Sequence, residues 1–170
     1  LNYKVVLIDA DVGLRNLDLV LGIENRIIFT AMDAIAGSCS LKKTLIQDKR
    51  QPNLSFFPLC SSQTKDTITR EDLAKFVEVL DQEYDFDFIL IDSPAGIDEG
   101  FQTSIEAANE AIVVVTPEVP SIRDADKVIG LLVTKGIKRI NLLINRIRPN
   151  MVKTDDMMSI DDVKNILGIP

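Results

Sequence analysis

Apolar residues along the chain follow two rhythms. Nearly continuous runs rich in β-branched residues occur at Lys4–Asp9 (KVVLID), Phe86–Asp92 (FDFILID), Ala111–Thr116 (AIVVVT) and Arg139–Asn145 (RINLLIN), and each predicts a strand. Continuous apolar character suits strands buried on both faces, as in a parallel sheet covered by helices. Leu54–Leu59 (LSFFPL) is a fifth, weaker strand, which Pro58 places at an edge or ends early. Between the strands the apolar period becomes helical. Leu73, Phe76, Val77 and Leu80 mark one face of a helix starting after Thr69, with Thr69 and Asp72 in capping-box positions. Ile122, Ala125, Val128, Ile129 and Leu132 repeat the pattern, opened by Ser121 and Asp124 and stopped near Gly136. A third helix begins at Ser159, with Asp162 three residues on, Val163 and Leu167 inward and Gly168 as its stop. Strands alternating with helices predict an α/β fold, an open and mostly parallel sheet flanked by helices. No repeat, low-complexity tract or linker divides residues 1–170, which read as a single domain.

In such a sheet the chemistry gathers at the carboxyl ends of the strands. The first strand ends in Asp9-Ala10-Asp11, followed by Gly13 and Leu14–Asp18 (LRNLD). The next strong strand ends in Asp92-Ser93-Pro94-Ala95-Gly96, the third in Thr116-Pro117-Glu118 and the fourth in Asn145-Arg146. An apolar strand closed by Asp, as at Ile89–Asp92, is the Walker-B pattern, whose carboxylate holds Mg²⁺ beside a nucleotide's phosphates, often through the ion's water shell. An Asp in that place also caps ordinary turns, and Asp9 and Asp11 equally suit a turn before Gly13. Two acidic strand ends together with Gly96 favour the phosphate reading, because a backbone N–H at such a glycine can approach a γ-phosphate as a switch segment does.

Composition narrows the field. A hydrophobic share of 46% beside 26% charged residues is that of a globular protein, and no apolar run approaches the roughly 18 residues that span a bilayer. A net charge of −7 without a Lys/Arg block argues against a broad nucleic-acid surface, although a local basic patch remains open. Histidine is absent, so neither a Ser-His-Asp nor a Cys-His nucleophile can be built, and His-containing zinc sites are excluded. Cys39 and Cys60 form no C-x-x-C and read as structural thiols in a reducing compartment.

Asp9–Asp18 (DADVGLRNLD), Asp48–Arg50 (DKR), Asp92–Ile97 (DSPAGI), Pro117–Glu118 with Arg123–Asp126 (PE…RDAD) and Met157–Ser159 (MMS) resemble the septum-site-determining MinD family, in the same order along nearly the whole chain. Asp156–Ser159 (DMMS) and Asn145–Pro149 (NRIRP) are most similar to its cyanobacterial and plastid branch. The resemblance implies a fold of the P-loop NTPase type, ATP and Mg²⁺ as cofactors, and a role for each matched residue. Asp11 matches the switch I residue that positions the attacking water, with Asp9 beside it near Mg²⁺. Asp92 matches the Walker-B carboxylate, and Ser93–Ile97, with Gly96, the switch II segment. Glu118 matches a residue near the nucleotide at a homodimer interface. Asn145 matches the residue that reads adenine, with Arg146 next to it at the nucleotide. Arg123, Asp124 and Asp126 match a partner-binding and signalling helix, although Asp124 also suits a capping box unaided.

One departure is large. The family opens with a strand and a G-K-G-G-V-G-K-T loop, and no G-x-x-x-x-G-K-[ST] occurs here. About thirty residues are therefore expected upstream, from the length of a βαβ unit, and the family's amphipathic membrane-binding helix is expected downstream. On this reading the chain is a domain truncated at both ends, and it is inactive alone. The implied parent is an ATPase acting as a positional switch. It dimerises on ATP, engages the membrane, recruits a division inhibitor and is reset by hydrolysis under an activating partner, with no nucleic acid expected. It would work on the cytoplasmic side of a bacterial inner membrane or in a plastid stroma. A ParA-like DNA-partitioning ATPase is the nearest alternative, and a nucleotide-independent interaction module is the alternative if the chain is complete. Iron–sulfur carrier ATPases would need the C-x-x-C that is missing.

Overall fold

The computed structural model describes residues 2–11, 16–60 and 68–169. Gly13 and the first part of the Leu14–Asp18 segment lie outside the described residues. The chain forms two compact units, Leu1–Ala107 and Ala108–Pro170.

In the first unit the elements are β1 (Val5–Asp9), α1 (Leu17–Leu21), α2 (Ala31–Ile35), β2 (Ile46–Gln47), β3 (Leu54–Pro58), α3 (Arg70–Glu83), β4 (Phe88–Asp92) and α4 (Glu99–Glu106). The sheet runs β2-β3-β1-β4, with β1 parallel to both β3 and β4 and only β2 antiparallel. The weak strand around Pro58 is thus not at an edge: β3 lies between β2 and β1. Pro58 is its last residue, where a missing N–H costs the ladder least. Val6, Ile8, Phe57 and Leu59 from the strand layer meet Leu73 and Leu80 of α3 in one core, and Cys60 is buried with them. The α3 N-terminus is built as the sequence predicts, Thr69 Oγ1 accepting from the Asp72 N–H at 3.1 Å.

The second unit comprises β5 (Glu110–Val115), α5 (Val119–Thr134), β6 (Arg139–Ile144), α6 (Pro149–Lys153) and α7 (Ile160–Leu167). β5 and β6 pair in parallel, and α5 packs on β5 and on α7. Ser159 and Asp162 form a reciprocal capping box on α7, which Gly168 ends at φ 65°.

Burial on both strand faces holds for β3, where Phe56 and Phe57 are both buried, but not for β4, β5 and β6. Phe88 and Leu90 of β4, Ile112 and Val114 of β5 and Leu143 of β6 are exposed, while Val113 and Val115 are buried. Successive side chains of a strand point to opposite faces, and in the second unit α5 packs on β5 from one side. No helix among the described residues is long and apolar enough to cross a membrane.

Candidate functional site

Parallel pairing of β1 with β4 sets Asp9 opposite Asp92, and the Ala10 N–H extends the ladder to the Asp92 carbonyl at 2.9 Å. Asp9 is buried, its Oδ1 accepting from the Asp11 N–H at 3.0 Å and its Oδ2 from the Leu17 N–H at 3.2 Å. The turn-forming reading of Asp9 is therefore realised, and a second lone pair on each oxygen remains for another donor or a cation. Asp92 stands at the exposed end of β4. Lost hydration, and then the negative charges of Asp9 and Asp11, raise its carboxyl above the ordinary 3.8.

A carboxylate raised on folding weakens the fold as pH climbs from its unfolded toward its folded value, and the full cost persists above that. Asp92→Asn is expected to leave stability nearly unchanged at about pH 3 and to raise it by an increment that grows toward about pH 7. Paired thermal melts across that range check this, and an increment independent of pH would contradict a carboxyl raised by lost hydration and neighbouring charge.

Gly96 holds φ 94°, with open space where a side chain would stand, so the backbone angle rather than crowding calls for glycine. Crowding decides Gly100, where an added Cβ would lie 2.8 Å from Pro94 Cγ. The first turn of α4 is thereby seated on the Ser93–Ile97 segment. Arg70 of α3 grips Glu99 through two bonds, Nε to Oε1 at 2.9 Å and Nη2 to Oε2 at 2.8 Å. A cavity of about 280 Å³ lies here, lined in part by Ala10, Asp11, Pro94, Ala95, Glu99 and Phe101. The α4 residues were missed in the sequence, although Phe101 and Ile105, four apart after Asp98, carry a helical signal and are both buried.

In the second unit the register sets Val115 beside Ile144, and the Asn145 N–H donates to the Val115 carbonyl at 2.8 Å. Asn145 Oδ1 accepts from the Arg146 N–H at 2.8 Å, and Arg146 holds φ 60°. Glu118, exposed, is the N-cap residue of α5 but makes no side-chain cap bond. That corrects the expected opening of this helix at Ser121 and Asp124. Pro120 in the first turn starts it earlier, because its fixed φ is already helical and its missing N–H would have no partner there. Ser121 instead takes the Thr116 N–H at 3.0 Å, and Asp124 stands beyond the cap, paired with Lys127 at 3.2 Å. Arg123, Asp124 and Asp126 are all exposed.

Comparison with known proteins bears on both sets of strand ends. No protein-family model matches the chain. A septum site-determining protein MinD of Emiliania huxleyi is 64% identical over all 170 residues, which cover 62% of that protein. The septum site-determining protein MinD of Synechocystis is 49% identical over the same residues, 63% of its length. The Aquifex aeolicus MinC:MinD complex superposes with a TM-score of 0.87 at 44% identity, over 98% of this chain and 66% of that one. This chain is similar to MinD proteins along its whole length. It spans somewhat under two thirds of the length of the MinD proteins it matches. A Pyrococcus horikoshii MinD complexed with Mg-ADP gives 0.80 at 25% identity, over 99% of this chain and 67% of that one. A ParA-family ATPase of Chlorobium tepidum, at 21% identity and 0.67, shares the fold.

The MinD-like segments without strand-end chemistry act as clamps. Buried Asp48 accepts from the N–H groups of Arg50 and Gln51 at 2.7 and 2.9 Å, and the first of these holds its carboxyl below the usual range. Arg50 Nη2 reaches the Leu21 carbonyl at the end of α1, 2.9 Å away. The Arg148 N–H meets Met157 Sδ at 3.3 Å, tying the NRIRP segment to MMS.

Among the described residues no group of three or more acidic or thiol side chains is arranged to hold a metal by itself. One or two carboxylates suffice for Mg²⁺, which keeps several of its waters. The donor set fits: Asp92 is raised partly by the charges of Asp9 and Asp11, a repulsion that a divalent cation relieves.

Proposed function

We propose that the chain is the core of an ATP-driven positional switch for division-site placement, with residues 1–170 belonging to one nucleotide-binding domain. The observation that carries the reading is the Asp9–Asp92 register, which holds two acidic strand ends side by side next to the cavity that Asp11 and Pro94-Ala95 line. Support comes from the family, whose P. horikoshii member is complexed with Mg-ADP and whose Aquifex member is complexed with MinC.

In this proposal Asp92 and Asp9 hold Mg²⁺, partly through water, and the ion when bound neutralises charge on the phosphoryl oxygens. Asp11 orients the attacking water. The Gly96 segment supplies a backbone N–H toward the terminal phosphate, and its positive φ gives it a backbone geometry unavailable to most other residues. Asn145 and Arg146 hold the base, and Glu118 lies at the interface with a second copy. Arg123, Asp124 and Asp126, exposed on α5, meet the division inhibitor and the activating partner. On this reading the phosphate loop and the membrane-binding helix lie in segments joined to these 170 residues in the full-length protein. The protein works at the cytoplasmic face of a bacterial inner membrane or in a plastid stroma.

Partner choice tests the proposal in the full-length protein, meaning this chain joined to the segments that its relatives carry beyond the matched residues. Co-sedimentation with anionic liposomes is expected with ATP and not with ADP. Duplex DNA titrated at about physiological salt is expected to bind poorly, because the −7 chain offers few clustered phosphate contacts. Tight, salt-sensitive DNA binding without liposome binding would instead select a partitioning ATPase.

A further inference from the structure

The helices α3 and α7 open on side-chain caps, Thr69 and Ser159 each accepting the N–H three residues on at 3.1 Å. α4 does not: Asp98, its N-cap residue, makes no side-chain cap bond. This is the end of α4 that follows directly on the Ser93–Ile97 segment. An uncapped first turn is the part of a helix that frays most readily. Here two contacts from outside the turn hold it.

One is the approach of Gly100 to the Pro94 ring. The other is the fork of Arg70, whose Nε and Nη2 meet the two Glu99 carboxylate oxygens at 2.9 and 2.8 Å. Two parallel bonds fix the plane of a carboxylate as well as its distance, which the ammonium of a lysine cannot do. The base of the fork is firm, because Arg70 is the first residue of a capped helix whose Leu73 and Leu80 are fully buried. Among the acids around Arg70, Glu99 acts on it most strongly, ahead of Glu106 and Glu71. An exposed ion pair adds little to overall stability, so the effect of this one is expected on geometry.

We propose that Arg70 is a positioning residue for hydrolysis: gripping Glu99, it fixes the first turn of α4 and, through the Gly100–Pro94 contact, the segment that carries Gly96. The inference rests on the reading of Ser93–Ile97 as the segment that meets the terminal phosphate. Arg70 acts through Glu99 and touches no nucleotide itself. Affinity for ATP draws on many contacts outside this segment, whereas hydrolysis needs the segment's N–H in place. Loosening the first turn of α4 therefore lowers the rate more than the affinity.

The experiment measures, in the full-length protein, the affinity for a fluorescent ATP analogue and the rate of ATP hydrolysis in a single turnover. Arg70→Ala and Glu99→Ala are each expected to slow hydrolysis roughly fivefold, with affinity within about twofold of the parent's. The double variant is expected to be no slower than either single one, since its second substitution removes a partner already lost. Arg70→Lys, which keeps the charge but not the fork, is expected to be about threefold slow, and it decides where Arg70→Ala does not fold. A parental rate in the deciding variant overturns the inference. So do losses that multiply in the double variant. A fall in affinity as large as the fall in rate overturns it too, since it marks a residue that only supports the fold. Gly96→Val separates the two layers. A parental rate there removes the switch reading and the positioning role together. A collapsed rate there beside a parental rate in Arg70→Ala keeps the switch reading and removes the role of Arg70 alone.

Discussion

Residues 1–170 purified alone are expected to bind Mg-ATP roughly a thousandfold more weakly than the full-length protein, a deficit of about 4 kcal/mol. In proteins with a phosphate loop, affinity for the polyphosphate comes mainly from the loop's N–H cradle, the helix N-terminus behind it and the loop lysine. No G-x-x-x-x-G-K-[ST] occurs in this chain. The described strand ends supply Asp9, Asp11 and Asp92, which repel a polyphosphate unless a cation intervenes. Asn145 adds at most about one or two kcal/mol net. The isolated chain is also expected to aggregate readily, because Phe88, Leu90, Ile112 and Val114 leave apolar strand surface in water. Isothermal titration of chain and full-length protein side by side measures the difference. Micromolar binding by the chain alone would move the phosphate site to residues other than those assigned.

Asp11→Ala in the full-length protein is expected to slow single-turnover hydrolysis by on the order of a hundredfold or more, with ATP binding largely retained. Asp11 lines the cavity beside Pro94 and Ala95. Its neighbour Asp9 is buried, whereas Asp11 is only half-buried and lines the cavity, so Asp11 is the better placed of the two to reach a water. Asp9→Ala is predicted to act differently, removing the bonds to the Asp11 and Leu17 N–H groups and lowering stability along with turnover. Hydrolysis by Asp11→Ala at the parent's rate would remove it from the reaction.

Features encoded by neighbouring residues were legible in the sequence. The Ser159–Asp162 box with its Gly168 stop and the Thr69–Asp72 start of α3 each depend on a few consecutive side chains. The acidic strand ends were legible for the same reason, since an apolar run closing in Asp is a local pattern. Their side-by-side placement was not, because Asp9 and Asp92 are brought together by strand register, which no local pattern encodes. The start of α5 was misplaced because its N-cap, Glu118, makes no side-chain cap bond, while Ser121 looks like a cap and bonds back to Thr116 from inside the first turn. β2 has two residues and exists only through its pairing with β3, so no periodicity could announce it. Left-handed Arg146 was equally silent, since arginine carries no preference for that angle.

The contact between position 100 and the Pro94 ring has a consequence for how such a sequence can drift. With a would-be Cβ only 2.8 Å from Pro94 Cγ, a methyl group at position 100 and a pyrrolidine at position 94 cannot share the space without a shift of ring or backbone. The two positions are therefore expected to change together. A lineage that acquires alanine at 100 first must repack the segment carrying Ala95 and Gly96, whereas one that first trades Pro94 for a smaller residue opens the way for the second change. Among related sequences, a side chain at 100 is accordingly expected only where 94 has ceased to be proline, an order of substitution imposed by a single van der Waals contact.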